Sequence, residues 1–194
     1  MRKIIGHMQT TLDGRIARGD GTLWEPFPWG DAEVAYVNET FRRADTWAMS
    51  RVLYEAIIPY WHDVATGHPP ADAPPTTPAF ADFAKIQEAM TKVVFSRTAE
   101  SGGDVALSGD LAPQLFALKE QEGRDIILSA GPRTLGPLAS TPGLVDEYVL
   151  PVSPIVLSSG PRLFEDVTTD LVLNLVHAET FAGGAVVLHY QTVA

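Results

Sequence analysis

Two arginines stand where a phosphate could be held. Arg51 follows Ser50 at the end of the apolar stretch 45–50 (DTWAMS), and Arg97 lies between Ser96 and Thr98, just past the compact stretch 92–96 (KVVFS). Each is flanked by hydroxyls and falls beyond the carboxyl end of an expected strand, the edge where open α/β sheets bind ligands. A guanidinium suits that task because its planar fork donates two parallel hydrogen bonds to a phosphate. A third element is 126–132 (IILSAGP), which reads as a buried strand, a small-residue turn at Ala130 and Gly131, and a helix starting near Pro132. Such a turn aims backbone N–H groups and the positive helix end at an anion. Neither G-x-G-x-x-G nor the Walker pattern is present, so on its own this is equally an ordinary βα turn. With two arginines beside it, the combination suits a dinucleotide carrying an extra phosphate.

Residues 6–21 (GHMQTTLDGRIARGDG) break from a first apolar strand into a polar loop holding Asp13, Gly14 and Arg15. A loop directly after a first buried strand often carries ligand-binding groups in α/β proteins, although a plain turn has the same composition. Residues 22–30 (TLWEPFPWG) hold two Trp, one Phe and two Pro without any strand or helix period, and read as a core lid or a pocket wall. In the helix that follows, Glu33 borders the face formed by Val34, Val37, Phe41 and Ala44. It is either a first-turn charge favoured by the helix dipole or an acid facing a pocket.

Other chemistries find little support. The chain has no cysteine, which excludes disulfides, thiolate metal sites and a cysteine nucleophile. His177-Ala178-Glu179 matches the H-x-E of zinc deaminases but lacks the cysteines that complete that site. The five histidines show no ligand spacing, so no metal is expected. No G-x-S-x-G elbow occurs. A net charge of −10 argues against nucleic acid as a partner. No apolar run reaches the roughly 18 residues of a membrane span, and the start MRKIIGHM is too short for a secretory signal. A cytoplasmic protein is expected. At 194 residues and 45% hydrophobic content, one domain over 1–194 with an unaided core is expected.

The elements that must position these groups follow from periodicity. Residues 1–8 read as a strand, and a helix follows with Asp31 as its N-cap. A strand over 45–50 leads into a short helical stretch over 52–57. Five prolines between 69 and 78 make 59–78 a surface excursion. A helix over 79–90, strands over 92–96 and within 104–110, and a helix capped by Asp110 and ended by Gly123 come next. The segment 144–164 reads as a strand, a Pro-bounded loop, a second short strand and a Gly turn. Strands within 170–181 and 185–191, joined by Ala182-Gly183-Gly184, form an antiparallel hairpin. This order implies a mostly parallel, helix-covered sheet with an antiparallel edge.

In order and spacing, TLDGRIA (11–17), SRVLYE (50–55), VFSRT (94–98), ILSAGPRTL (127–135), GLVDEYVLPVSP (143–154) and SGPRLF (159–164) resemble the dihydrofolate reductase-like fold family. The nearest likeness is to the reductase (C-terminal) domain of bifunctional riboflavin-biosynthesis deaminase-reductases and its stand-alone relatives. The resemblance implies an α/β fold with a central, mostly parallel twisted sheet, an antiparallel C-terminal hairpin and helices on both faces. It implies NADPH as cofactor and hydride transfer to a small nitrogen heterocycle or its ribosylamino precursor. Reduction of 5-amino-6-(5-phosphoribosylamino)uracil leads; dihydrofolate-type pterin reduction and a non-catalytic nucleotide-binding scaffold are the alternatives.

Residue by residue, the resemblance assigns Ser50, Arg51, Ser96, Arg97 and Thr98 to the adenosine 2′-phosphate. Ala130, Gly131 and Pro132, with Thr134 and Leu135 behind them, fall to the pyrophosphate. Ile16 and Ala17 fall beside the nicotinamide, under the loop 11–17. Thr10, Trp24, Phe27 and Val37 line the substrate side, with Glu33 and Asp13 as catalytic carboxylates. The family commonly has Gly where Ser50 and Ala130 stand. The deaminase half is absent, so a separate reductase is expected, and a homodimer contact through the C-terminal hairpin is expected by the same likeness.

Overall fold

A computed structural model describes residues 1–22, 30–71, 73, 76–96 and 102–193. The strands are β1 (Ile4–His7), β2 (Thr10–Thr11), β3 (Ala44–Ser50), β4 (Thr91–Phe95), β5 (Val105–Leu107), β6 (Asp125–Ser129), β7 (Glu147–Ser153), β8 (Leu173–Thr180) and β9 (Val186–Thr192). The helices are α1 (Asp31–Arg42), α2 (Arg51–Ala65), α3 (Pro78–Glu88), α4 (Leu111–Glu120) and α5 (Pro132–Ala139). The strands form one sheet in the order β5-β4-β3-β6-β1-β7-β9-β8, with β2 also paired to β7. The pairs from β5 to β7 are parallel, whereas β7–β9 and β8–β9 are antiparallel.

Alternation along the strands divides the core into two layers, because successive side chains leave a strand on opposite faces. Ile5, Trp47, Met49, Val94, Ile127 and Val149 pack with α1, α2 and α3. Their neighbours Ile4, Ala48, Val93, Ile126, Leu128 and Tyr148 pack with Leu115 of α4 and Leu135 and Leu138 of α5. Both faces are therefore covered, as near-continuous apolar strands require. Gly6 is dictated by a neighbour: a Cβ there would lie 2.7 Å from the Tyr148 ring.

Four readings of the sequence are corrected. The helix expected over 52–57 runs on through Pro59 to Ala65. Pro59 is exposed, and the turn after it buries Trp61 edge-on against Phe83 of α3, with centroids 4.8 Å apart. Burial of that aromatic cluster offsets the hydrogen bond that proline removes. The N-cap of α1 is Gly30, with Asp31 inside the helix. The second strand expected within 144–164 does not form; β7 instead continues through Pro151 to Ser153. Pro151 lies level with the break between β1 and β2, where no neighbour on that side needs its N–H. Finally, Thr10 and Thr11, read as loop, make a short strand against Val152 and Ser153.

The amino-terminal edge of the sheet is held by ion pairs. Glu147 is buried, and its Oε1 accepts from Lys3 Nζ at 2.7 Å. Its Oε2 accepts from Arg43 Nη2 at 2.8 Å and lies 2.9 Å from His189 Nε2. Burial alone would raise the carboxyl pKa, but the bonds from Lys3 and Arg43, with His189 adding to them, outweigh it and hold the group down to about 2. A carboxyl depressed on folding stabilises the fold above its ordinary value near 4.5, and that contribution is lost as pH falls toward 2. Glu147→Gln is therefore expected to cost about 2–3 kcal/mol at pH 7, allowing for solvent screening of the part-exposed Lys3 and Arg43. The loss should shrink between pH 4.5 and 2. Urea unfolding of both proteins at pH 7 and pH 3 checks it; an equal deficit at both would contradict the linkage.

Candidate active site

Strand register brings the phosphate-type residues to one edge. Ser50 pairs with Phe95 and Met49 with Ser129, so Arg51, Ser96 and Ala130 leave the ends of three adjacent strands side by side. Ser50 caps α2, its Oγ accepting from Leu53 N at 3.4 Å. Arg51 opens that helix, is exposed, and donates from Nε to Glu55 at 2.7 Å. Ser96 is buried, its N–H bound to Leu107 O at 2.9 Å. Arg97, Thr98, Trp24 and Phe27 lie outside the described residues.

At the next strand end Gly131 is the N-cap of α5 and supplies no side-chain acceptor to its first turn. Ala130 and Pro132 are buried beside it, and Thr134 is half-buried. The N–H groups of Thr134 and Leu135 both turn back to Gly131 O, at 3.0 and 2.9 Å, and the Leu135 side chain belongs to the core. Leu135 thus meets the turn through its own N–H, while its side chain serves the core.

Past His7 the sheet forks. β1 pairs with both β6 and β7, but β2 pairs with β7 alone, while the chain after β6 turns away into α5. In parallel sheets such a divergence at the carboxyl edge forms the ligand crevice. Met8, at the divide, packs against both core layers. Ile16 is buried on the α5 side, where a Cβ on Gly131 would lie 3.7 Å from its Cδ1, and Ala17 is buried next to it in the chain. On the α1 side lies the fully buried Val37; Thr10 is buried too, but its pairing with Val152 turns it to the face of Tyr148 and Leu150. Glu33 is half-buried in the first turn of α1, its carboxylate folded back on Gly30 and 3.4 Å from where a Cβ on Gly183 would stand. Ile16 thus stands on the α5 side of the fork, and Glu33 and Val37 belong to α1 on the other.

The loop 11–17 is fastened to 155–163. Leu12 N bonds Ile155 O at 2.9 Å, Ile16 N bonds Pro161 O at 3.0 Å, and Leu163 N bonds Gly14 O at 2.9 Å. Arg15 donates to Leu157 O at 3.2 Å and also to Gly160 O. Gly160 has φ +124° and presses against Ala17 O, so no other residue fits there. The Asp13 carboxylate accepts from Thr11 Oγ1 at 2.7 Å, Arg15 Nε at 2.8 Å and Leu157 N at 3.3 Å. The Thr11 hydroxyl, ahead of Leu157 and Arg15, holds its pKa below the ordinary value. Asp13 is thus turned into the loop and engaged on both oxygens.

Two residues missed in the sequence sit at the fork. Trp47 Nε1 donates to Ser129 Oγ at 2.9 Å, and Ser129 Oγ donates to His7 O at 2.8 Å. The signal available was a polar residue at the core-facing end of each strand. An open depression of about 730 Å³ along 164–173, lined by Phe164, Val167 and Leu171 among others, includes none of the candidate residues.

The RibD C-terminal domain family model matches residues 2–187, nearly the whole fold just described. The chain belongs to the RibD C-terminal domain family. Two uncharacterized proteins of Bacillus subtilis (strain 168) are related to it. YwjB is 28% identical over 193 residues, 97% of either chain. YyaP is 33% identical over 109 residues, 55% of this chain and 57% of its own length. Among solved structures, a pyrimidine reductase-like protein from Corynebacterium diphtheriae superposes with a TM-score of 0.68 at 12% identity, over 100% of this chain and 92% of that one. A diaminohydroxyphosphoribosylaminopyrimidine deaminase/5-amino-6-(5-phosphoribosylamino)uracil reductase from Thermotoga maritima gives 0.66 at 14% identity, over 99% of this chain but 57% of that one. Dihydrofolate reductase from Enterococcus faecalis, complexed with NADP(H), gives 0.59 at 12%, over 99% and 97%. At these identities the likeness shows the fold: this RibD C-terminal domain protein has the dihydrofolate reductase-like architecture, with the expected antiparallel C-terminal strands and helices on both faces.

Proposed function

We propose that this RibD-type chain, as a single domain over 1–194, is an NADPH-dependent reductase of a nitrogen heterocycle or its ribosylamino precursor. The uracil substrate named for the Thermotoga relative leads. The observation that carries the reading is the strand register, which lines up Arg51, Ser96 and the Ala130–Gly131 turn on one edge. Those residues fit the cofactor's charges. Gly131 leaves the first turn of α5 without a side-chain acceptor, as an anion site at a helix start requires. Arg51 pairs with Glu55 of its own helix at the exposed surface. Such i,i+4 pairs contribute about 0.3–0.5 kcal/mol, so a phosphate can take the guanidinium over. In this reading Arg97 and Thr98 complete the 2′-phosphate site.

Bound along this edge, NADPH supplies the hydride. Ile16, held by Pro161 O and facing Gly131, forms one wall beside the nicotinamide and keeps water from it. Glu33, on the α1 side, delivers the proton to nitrogen as the hydride adds to the carbon of a C=N bond. Asp13 acts here as a positioning residue that keeps the loop closed, in place of the catalytic part the family resemblance gives it. The direct test is loss of NADPH absorbance with 5-amino-6-(5-phosphoribosylamino)uracil and, separately, with dihydrofolate. Turnover of the pterin alone would move the assignment to the second substrate, and turnover of neither would contradict the reductase.

The chain is also read as a cytoplasmic homodimer. β8 is an outer strand with Leu175 and Val176 exposed, flanked by exposed Val172 and Val193. An apolar open edge invites pairing with a second copy about a twofold axis. Val176→Lys should halve the mass measured by light scattering at micromolar concentration; a wild-type monomer would refute the dimer.

A further inference from the structure

His7 is the last residue of β1, at the point where β6 and β2 part. Its main chain is fixed by the Trp47–Ser129–His7 hydrogen bonds, which tie the middle of β3 to the carboxyl ends of β6 and β1. The ring leaves the strand on the face of Ile5, the face that carries Val37 in its core layer. It stands edge-on to Phe41, centroids 5.0 Å apart. The residue is 7% exposed, yet Nε2 has no hydrogen-bond partner among the described residues. An unpaired polar atom in such a place penalises folding, and a leucine or phenylalanine would avoid the penalty. Burial pushes the imidazole down to about 4, against a smaller effect of a hydrogen bond to its own backbone, so the ring is neutral at pH 7. A neutral imidazole whose Nδ1–H serves the backbone offers Nε2 as an acceptor.

We propose that His7 determines specificity for the heterocycle, its Nε2 accepting a hydrogen bond from a ring N–H or exocyclic amine of an aminopyrimidine at the floor of the fork. This rests on the reductase reading and deepens its substrate side. The Ser129 bond fixes the His7 carbonyl, and the edge-on Phe41 ring packs against the imidazole. Glu33, on the helix that covers the same face, leaves the two ends of the heterocycle to different groups: one acceptor at the floor and one acid at the rim.

The test uses the full chain and 5,6-diaminouracil as probe, with NADPH titrated in parallel. In wild-type protein labelled with ¹⁵N-histidine, the His7 Nε2 resonance is expected to move as the probe saturates. His7→Phe keeps the ring volume without the acceptor. It should bind NADPH as wild type does and melt no lower, because an unpaired polar atom has been removed, yet bind the probe at least tenfold more weakly. His7→Gln, which can still accept, should recover part of that affinity. A probe that binds wild type without moving the Nε2 resonance, equal probe affinity in His7→Phe, or no probe binding at all would each overturn the proposal. Failure of wild type to bind NADPH would instead strike the reductase reading, and the probe titration would still judge His7.

Discussion

Glu33→Gln is expected to lower kcat about a hundredfold to a thousandfold with the natural heterocycle, while NADPH affinity stays within twofold. A positioned general acid contributes on the order of 10²–10⁴ to rate, and the amide keeps the shape of the carboxyl without its proton. The structure gives the substitution little else to disturb. Glu33 is half-buried at the start of α1, its carboxylate close to Gly30 and the hairpin turn at Gly183. It stands on the α1 side of the fork, away from the α5 turn that would carry the pyrophosphate. Single-turnover rates at saturating NADPH measure the chemical step. An unchanged rate would remove Glu33 from the mechanism and return it to the first-turn charge that the helix dipole favours.

The second large effect is on cofactor choice. Arg51→Ala with Arg97→Ala should weaken NADPH about a hundredfold and leave NADH almost unchanged. A hydrogen bond to a charged group contributes about 1.5–3 kcal/mol, and only NADPH presents the 2′-phosphate that would receive these. Arg51 alone should account for a smaller share, since its exposed guanidinium also serves Glu55. Equal losses for the two nucleotides would show that the arginines support the fold or the pyrophosphate instead.

Much of this architecture was legible because local patterns and tertiary demands agreed. Strand–helix alternation gave the parallel sheet, and the Gly183–Gly184 turn gave the antiparallel hairpin. Asp110 does cap α4, its side chain accepting from Ala112 N at 3.3 Å. Disagreement arose where burial overrode a local signal. Pro59 marks a helix end in isolation, but Trp61 and the aromatic cluster around Phe83 hold α2 together beyond it. Pro151 marks a strand end, but the gap between β1 and β2 accommodates it.

The site was legible in part for a related reason. Residues at strand ends can be read from the sequence, and register then aligned Arg51, Ser96 and Ala130. What a side chain touches cannot be read that way. Asp13 looks like a free acid in TLDGR, yet Thr11, Arg15 and Leu157 take up both of its oxygens. Arg15 reads only as part of a polar loop, yet it clamps that loop to Leu157 and Gly160. Ser129 and His7 look like core residues, and only the long-range bonds to Trp47 and across β1 give them a place at the fork.

The central claim is that this edge of the sheet holds NADPH through its 2′-phosphate. Fluorescence titration of the purified protein with NADPH and, in parallel, NADH tests it most directly. Micromolar or tighter binding of NADPH is expected, at least tenfold tighter than NADH, with the preference weakening as salt screens the arginines. Binding of neither nucleotide, or of both equally, would contradict it.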